Sequence, residues 1–328
     1  MPTDASPRRR TLRLGTRGSK LARWQADWVA ARLNQLGHQI ELIQITTHGD
    51  SEAAAPISSF GGTGVFTKEI QRALLAGEVE LAVHSLKDLP TDEVAGLTLA
   101  AIPRRESAAD VLVGKTASTE RGAGRVSALD TPFDLLPQGA LVGTGSLRRQ
   151  AQLRHARPDL RVAEVRGNLD TRLRKLDEGP FDALLLAEAG LVRLGLADRI
   201  TQVLPLAAML PAVGQGALAI ECRTDDLATQ AALAPLDDRT TRAAVLAERS
   251  LLAHLRGGCL APIGGWGRIE QGALHLSAVV LSPDGARRLD AHESTSVDLT
   301  AAVALGRRVA EALLAQGAAE LIAAARHG

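Results

Sequence analysis

Short apolar runs alternate with stretches of helical period along the first two thirds of the chain, and that alternation leaves few architectures open. Residues 12–15 read as a strand and 21–36 as a helix. Residues 40–46 read as a strand, 67–75 as a helix, and 81–84 and 97–102 as two further strands. Strands that alternate with helices pack as a largely parallel sheet covered on both faces, which makes the fold class α/β. A second unit of the same kind begins near Arg105, with strand candidates at 111–113, 141–143, 160–165 and 183–186. Residues 114–132 are a polar, Gly-containing excursion. Pro205 and Pro211 mark a crossing segment, after which residues 217–222 form a strand that can return to the first unit.

The expected units are a first lobe from 11–104 with 205–225, a second lobe from 105–204, and a C-terminal domain from 226–328. In the last, residues 240–255 are helical. Residues 273–281 and 287–294 pair antiparallel around Ser282-Pro283-Asp284-Gly285, and an Ala-rich helix spans 299–325. A chain of 328 residues accommodates two or three domains. Aromatic residues are scarce and Tyr is absent, so the cores must be built from Leu, Val, Ile and Ala.

Net charge is only +1, which argues against a general binder of nucleic acid or of membrane surfaces. The local distribution is more pointed: residues 144–175 carry nine Lys or Arg against three Asp or Glu, enough to meet a small polyanion. No apolar stretch is long enough to span a bilayer, and Arg8, Arg9 and Arg10 are followed by no signal-like apolar run. A cytoplasmic protein is expected, without membrane or nucleic-acid partners.

In open α/β sheets ligands bind beyond the carboxyl ends of strands, where helix N-termini point. Four groups of residues fall at such places. In Gly15-Thr16-Arg17-Gly18-Ser19, Ser19 can cap the next helix and Arg17 sits in the loop. In Ala82-Val83-His84-Ser85-Leu86-Lys87-Asp88, an apolar strand opens into a Lys-Asp pair. A solvated ion pair is the plain alternative there, and His84 reads as an interior histidine. In Gly143-Thr144-Gly145-Ser146-Leu147-Arg148-Arg149, Ser146 is the expected cap and two arginines enter the first helical turn. Cations there oppose the helix dipole, so a bound anion explains them better than helix stability does. In Val165-Arg166-Gly167-Asn168-Leu169-Asp170-Thr171-Arg172, Arg166 follows a strand and Arg172 can turn to the same side. Guanidinium forks suit carboxylates. Arg154, Arg157, Arg161 and Arg174 read as surface charge.

The two cysteines differ in context. Cys222 lies in the apolar run Ala-Leu-Ala-Ile-Glu-Cys and reads as a buried, inert thiol. Cys259 follows Arg256-Gly257-Gly258, where a loop thiol beside a cation can be reactive and two glycines let a ligand approach.

Together these segments, with Leu210-Pro211-Ala212-Val213-Gly214-Gln215-Gly216 and Pro262-Ile263-Gly264, resemble the hydroxymethylbilane synthase (porphobilinogen deaminase) family from about Leu12 to the C-terminal helix. The resemblance implies two periplasmic-binding-protein-like lobes with mostly parallel sheets, plus a smaller α+β C-terminal domain. It implies a transferase of tetrapyrrole, porphyrin and heme biosynthesis. Four porphobilinogen molecules are condensed head to tail, with loss of ammonia, on a dipyrromethane cofactor joined by a thioether to the residue matching Cys259. Hydrolysis then releases linear hydroxymethylbilane. Asp88 matches the catalytic carboxylate, which stabilises positive charge developing on pyrrole nitrogen. Ser19, Lys87, Asp88, Ser146, Arg148, Arg149 and Arg166 match cofactor-binding positions; Arg17, Arg149, Arg166 and Arg172 match substrate-binding ones. No metal is implied, and a monomer is expected.

Some positions depart from the family pattern. Thr63, in the Gly-rich segment 61–66, stands where many members carry Lys. Ala108-Ala109-Asp110 replaces a common Pro-Arg-Asp, and Gly145 stands where Ser is frequent. The main rival reading is a non-catalytic two-lobed protein that binds small carboxylates; it has no use for Asp88 or Cys259. A phosphate- or nucleotide-using enzyme would need a P-loop or Gly-x-Gly-x-x-Gly fingerprint, and the chain has neither.

Overall fold

The computed structural model describes residues 11–46, 67–115, 126–127, 133–258 and 261–327. Thr63 and its Gly-rich segment, Cys259, and most of the excursion at 114–132 lie outside them. The first sheet is built from β1 (Thr11–Thr16), β2 (Gln39–Gln44), β3 (Leu81–Ser85), β4 (Leu97–Ala101) and β11 (Leu218–Arg223), in the order β2-β1-β3-β11-β4. The second contains β5 (Asp110–Gly114), β6 (Val126–Ser127), β7 (Leu141–Gly143), β8 (Arg161–Ala163), β9 (Ala183–Ala187) and β10 (Gln202–Val203), in the order β6-β10-β5-β9-β7-β8.

Both sheets follow one plan. β1 pairs in parallel with β2 and β3, and β7 pairs in parallel with β8 and β9. The antiparallel member in each case is the strand that has just crossed from the other lobe. β11 runs against β3 and β4, and β5 runs against β9 and β10. The sheets are thus mostly parallel, and each lobe is stitched to the other through its own interior. β3 and β9 are the central parallel strands, and their runs Leu-Ala-Val-His and Ala-Leu-Leu-Leu are buried on both faces.

Helices α1 (Lys20–Gln35) and α2 (Lys68–Leu75) flank the first sheet; α3 (Leu147–Ala156), α4 (Leu169–Glu178) and α5 (Glu188–Arg193) flank the second. Short polar side chains begin two of them. Ser19 Oγ accepts from Ala22 N and Asn168 Oδ1 from Thr171 N. Ser146 occupies the cap position of α3 but makes no such bond.

Helix α6 (Leu227–Leu233) packs on the first lobe, with Ala232 and Leu233 in its core, although it lies past the boundary expected at residue 226. The C-terminal core is built from α7 (Arg239–Leu255), the antiparallel sheet β12 (Ile263–Glu270), β13 (Ala273–Leu281) and β14 (Arg288–Ser296), then α8 (Leu299–Ala315) and α9 (Ala318–His327). The expected single helix over 299–325 is two helices, because Gly317 adopts φ +98 and ends the first. β12 is a third strand beyond the expected hairpin.

One buried carboxylate ties this domain to both crossing segments. Glu248, on α7, is fully buried. Arg105 Nη1 donates to its Oε1 at 2.6 Å and Arg105 Nη2 to its Oε2 at 3.2 Å. Gly214 N and Gly267 N donate to the same group at 2.6 and 2.8 Å. The four bonds satisfy a charge that would otherwise be costly to bury. Replacing Arg105 by Met leaves that carboxylate short of its counter-charge, so Arg105→Met should lose about 3–5 kcal/mol in equilibrium urea unfolding. Arg288→Met, which removes the exposed pair with Asp290, should lose at most about 1 kcal/mol. Equal losses would contradict this role for Glu248.

Candidate functional site

The four groups at strand ends lie as the parallel order dictates. Arg17 and Ser19 follow β1, and Lys87 and Asp88 follow the adjacent β3, in the one-turn 3-10 helix Leu86–Asp88. Gln25 Nε2, from α1, donates to Ser85 Oγ at 2.8 Å and holds the two strand ends together. In the other lobe, Ser146, Arg148 and Arg149 follow β7, while Arg166 and Arg172 follow the adjacent β8. The lobes meet beside these ends: Lys20 Nζ lies 2.9 Å from Asp170 Oδ2, and the Arg193 guanidinium lies 5.8 Å from the Trp24 ring centroid.

Charge links the groups across the lobes. Asp88 is exposed, and none of the described residues hydrogen-bonds or ion-pairs with its carboxylate. Its field nevertheless reaches Lys87 and Arg172. Burial pushes the Lys87 ammonium down to about 8. Asp88 and Asp110 oppose that shift, whereas Arg149 and Arg148 add to it. Burial also lowers Arg172 and Arg149, and Arg172 contributes to the lowering of Arg149. Arg172 Nε donates to Gly167 O at 2.8 Å, and Arg166 pairs with Glu164 at 2.5 Å. His84 is an interior residue, 3.0 Å from Glu221 Oε2.

Arg148 and Arg149 are where sequence and structure differ most. Their position at a helix start suggests a bound anion, but the protein supplies one itself. Asp110, at the start of β5, is fully buried between them. Arg148 Nη1 and Nη2 donate to Asp110 Oδ2 and Oδ1 at 2.6 and 3.2 Å, and Arg149 Nε donates to Oδ1 at 2.9 Å. Burial alone would raise the Asp110 carboxyl; the two guanidiniums outweigh it and hold the group well below the usual carboxylate range. Gln215 Nε2 adds a bond to Asp110 Oδ1 at 2.9 Å, and Arg149 Nη2 lies 3.3 Å from Gln215 Oε1. Two buried arginines therefore share one buried carboxylate, and Arg148 Nε is buried with no hydrogen-bond partner among the described residues.

Asp110 and Gln215 stand out in the sequence only as members of longer motifs, and Arg193 does not stand out at all. Arg193 is 9% exposed at the end of α5, donates to Gly216 O at 2.6 Å, and is lowered to about 10 by burial. The strand-end rule, extended one turn past β9, would have found it. A carboxylate opening the apolar run Val-Leu-Val was the available sign for Asp110. Arg154 and Arg157 are not simple surface charges: Arg154 Nη1 donates to Pro283 O at 2.7 Å, and Arg157 pairs with Asp159 at 2.7 Å. A wide groove between α7 and α8, lined by Leu246, His254, Arg256, Val303 and Arg307, contains none of the strand-end groups.

Two family models match the chain: "Porphobilinogen deaminase, dipyromethane cofactor binding domain" over residues 12–231 and "Porphobilinogen deaminase, C-terminal domain" over residues 242–315. Relatives named porphobilinogen deaminase are similar over nearly full length. That of Desulforudis audaxviator is 48% identical over 98% of this chain and 99% of its own. That of Brevibacillus brevis is 47% identical over 95% and 96%, and that of Acidithiobacillus ferrooxidans 48% over 95% and 97%. Among solved structures, the methionine-binding protein MetQ is 12% identical, with TM-score 0.42 over 69% of this chain and 89% of that one. The two-lobed arrangement rests on the strand order itself.

The charges around Lys87 make its titration a direct reading of the cluster. Amine-directed labelling of Lys87, followed by peptide mass against pH, should be half-maximal near pH 8. Asp88→Asn removes a group that favours the ammonium and should lower that midpoint; Arg149→Leu should raise it. A midpoint at the ordinary value of 10.5 would show that Lys87 does not sit in this environment.

Proposed function

Because this chain belongs to the porphobilinogen deaminase family, a family of transferases, we propose that it condenses four porphobilinogen molecules head to tail with loss of ammonia and releases linear hydroxymethylbilane by hydrolysis. The family's dipyrromethane cofactor would be joined by a thioether to Cys259. The other cysteine is poorly suited: Cys222 is fully buried in β11, and burial pushes its thiol up to about 11.

The donor chemistry fits such a group. Dipyrromethane and the chain grown from it carry carboxylate side chains. The cluster offers Lys87, Arg148, Arg149 and Arg172 against Asp88 and Asp110, with Arg193 beside Glu106 and Arg148 Nε left over as a buried donor among the described residues. In this reading Ser19, Lys87, Asp88, Ser146, Arg148, Arg149 and Arg166 hold the cofactor; Arg17, Arg149, Arg166 and Arg172 receive substrate carboxylates. When bound, the cofactor supplies the pyrrole carbon to which the first substrate is joined.

Asp88 carries the chemistry in this reading. Loss of ammonia builds positive charge on pyrrole nitrogen, and Asp88 is an exposed carboxylate whose field reaches Lys87 and Arg172. An ionised carboxylate stabilises that charge and can carry the proton away. Asp110 is already committed to two arginines, so its charge is not available for this task.

The protein acts as a cytoplasmic monomer in this reading. No helix among the described residues is long and apolar enough to cross a membrane, and a net charge of +1 suits neither a nucleic-acid nor a membrane partner. Asp88→Asn keeps the shape and hydrogen bonding of the side chain while removing its charge. Cofactor-loaded Asp88→Asn should fold normally and lose about a hundredfold or more in single-turnover porphobilinogen consumption. Consumption at the wild-type rate would remove Asp88 from the catalytic role.

A further inference from the structure

The helix that starts with the two buried arginines is held along its length, first by the return crossing at Leu210 and then by the C-terminal domain. Near its start, Arg148 Nη1 donates to Leu210 O at 2.7 Å. One turn later Gln152 bonds the same backbone twice: its Nε2 donates to Leu210 O at 2.9 Å, and its Oε1 accepts from Leu210 N at 2.8 Å. Leu210 and Ala151 pack with Val279 and Leu281 of β13 in one apolar cluster. At the far end, the turn between β13 and β14 closes over α3. Arg154 Nη1 donates to Pro283 O at 2.7 Å, and His155 Nδ1 lies 2.9 Å from Gly285 O.

That turn is stiff and tightly seated. Ser282 Oγ donates to Asp284 Oδ1 at 2.5 Å and accepts from Arg287 N at 2.9 Å; Asp284 Oδ1 also accepts from Ala286 N at 3.0 Å. Gly285 adopts φ +79, and a Cβ there would lie 2.7 Å from His155 N and 2.8 Å from Ala151 O. Both neighbours are backbone, so any side chain would push the turn and the helix apart.

We propose that the turn at residues 283–285 is a positioning contact for the reaction, fixing the arginine helix relative to the C-terminal domain. Gly285 is its critical residue. The reaction it serves is the one proposed above: the cysteine that would hold the growing chain belongs to the C-terminal domain, while the arginines that would hold its carboxylates belong to the second lobe. The distance between them is set where the two parts are clamped. Displacements of about 1 Å at such a distance can cost on the order of a hundredfold in rate.

Gly272 provides a matched control. It forms the other turn of the same sheet, adopts φ +77, and a Cβ there would meet nothing within 4 Å. Gly285→Ala and Gly272→Ala therefore carry the same backbone penalty, but only the first disturbs the contact with α3. The test compares both variants for porphobilinogen KM and kcat, for cofactor content by intact mass, and for hydrogen exchange at the amides of residues 148–152. Gly285→Ala should raise KM or reduce cofactor content by about tenfold or more and accelerate exchange in α3, with Gly272→Ala like wild type in each. Equal behaviour of the two variants would overturn the proposal. If wild-type protein neither carries the cofactor nor consumes porphobilinogen, the functional reading fails, and exchange in α3 alone decides whether the turn is a clamp.

Discussion

A single buried chain of polar contacts runs from the C-terminal domain to the arginine pair, and both lobes are organised around it. Glu248 accepts from Arg105; Arg105 Nε donates to Gln215 O at 2.7 Å; the Gln215 side chain donates to Asp110; Asp110 accepts from Arg148 and Arg149. Arg105 and Asp110 lie on the first crossing between the lobes, and Gln215 lies on the return crossing. The two antiparallel strands, β11 in the first sheet and β5 in the second, are therefore fixed by the network that sets the site's charge. Buried ions of this kind contribute specificity of arrangement as much as stability, because each is tolerable only with its partners in place.

The electrostatic result is a reserve of positive charge held partly out of water. Asp110 compensates one arginine's worth of charge, and the remainder is spread over Arg148, Arg149, Lys87, Arg172 and Arg193. Burial lowers Lys87, Arg149, Arg172 and Arg193 together, so anionic groups that arrive there recover interaction the isolated protein lacks. Asp88 stands apart as an exposed carboxylate in the same field. A cluster that is only cationic would bind acids; one with an uncommitted carboxylate can also stabilise cationic character that develops on them.

Much of this was legible in sequence, for reasons of period and position. The continuous apolar runs of β3 and β9 identify central parallel strands, and the cap Ser19 follows from a short polar residue before a helical stretch. Because parallel strands collect their carboxyl ends at one edge, four separated segments could be assigned to one region before any contact was known. What escaped depends on long-range pairing. Arg148 and Arg149 advertise a missing anion, but sequence spacing cannot tell a ligand from Asp110, which lies 38 residues from Arg148. β12 is missing from the expected strands, since Gly264, Gly265 and Gly267 interrupt its apolar pattern; the Gly267 backbone is pressed against α7 and donates to Glu248. The break after α8 is likewise hidden in an Ala-rich stretch whose composition favours continuing helix.

The proposed chemistry depends on which atom of the chain holds the anionic ligand, and intact mass followed by peptide mapping addresses that atom directly. Freshly purified protein should be heavier than its sequence by one dipyrromethane, and the added mass should map to the peptide containing Cys259. It should be absent in Cys259→Ser and retained in Cys222→Ser. Unmodified mass in protein that consumes porphobilinogen, or an adduct mapped to Cys222, would contradict it.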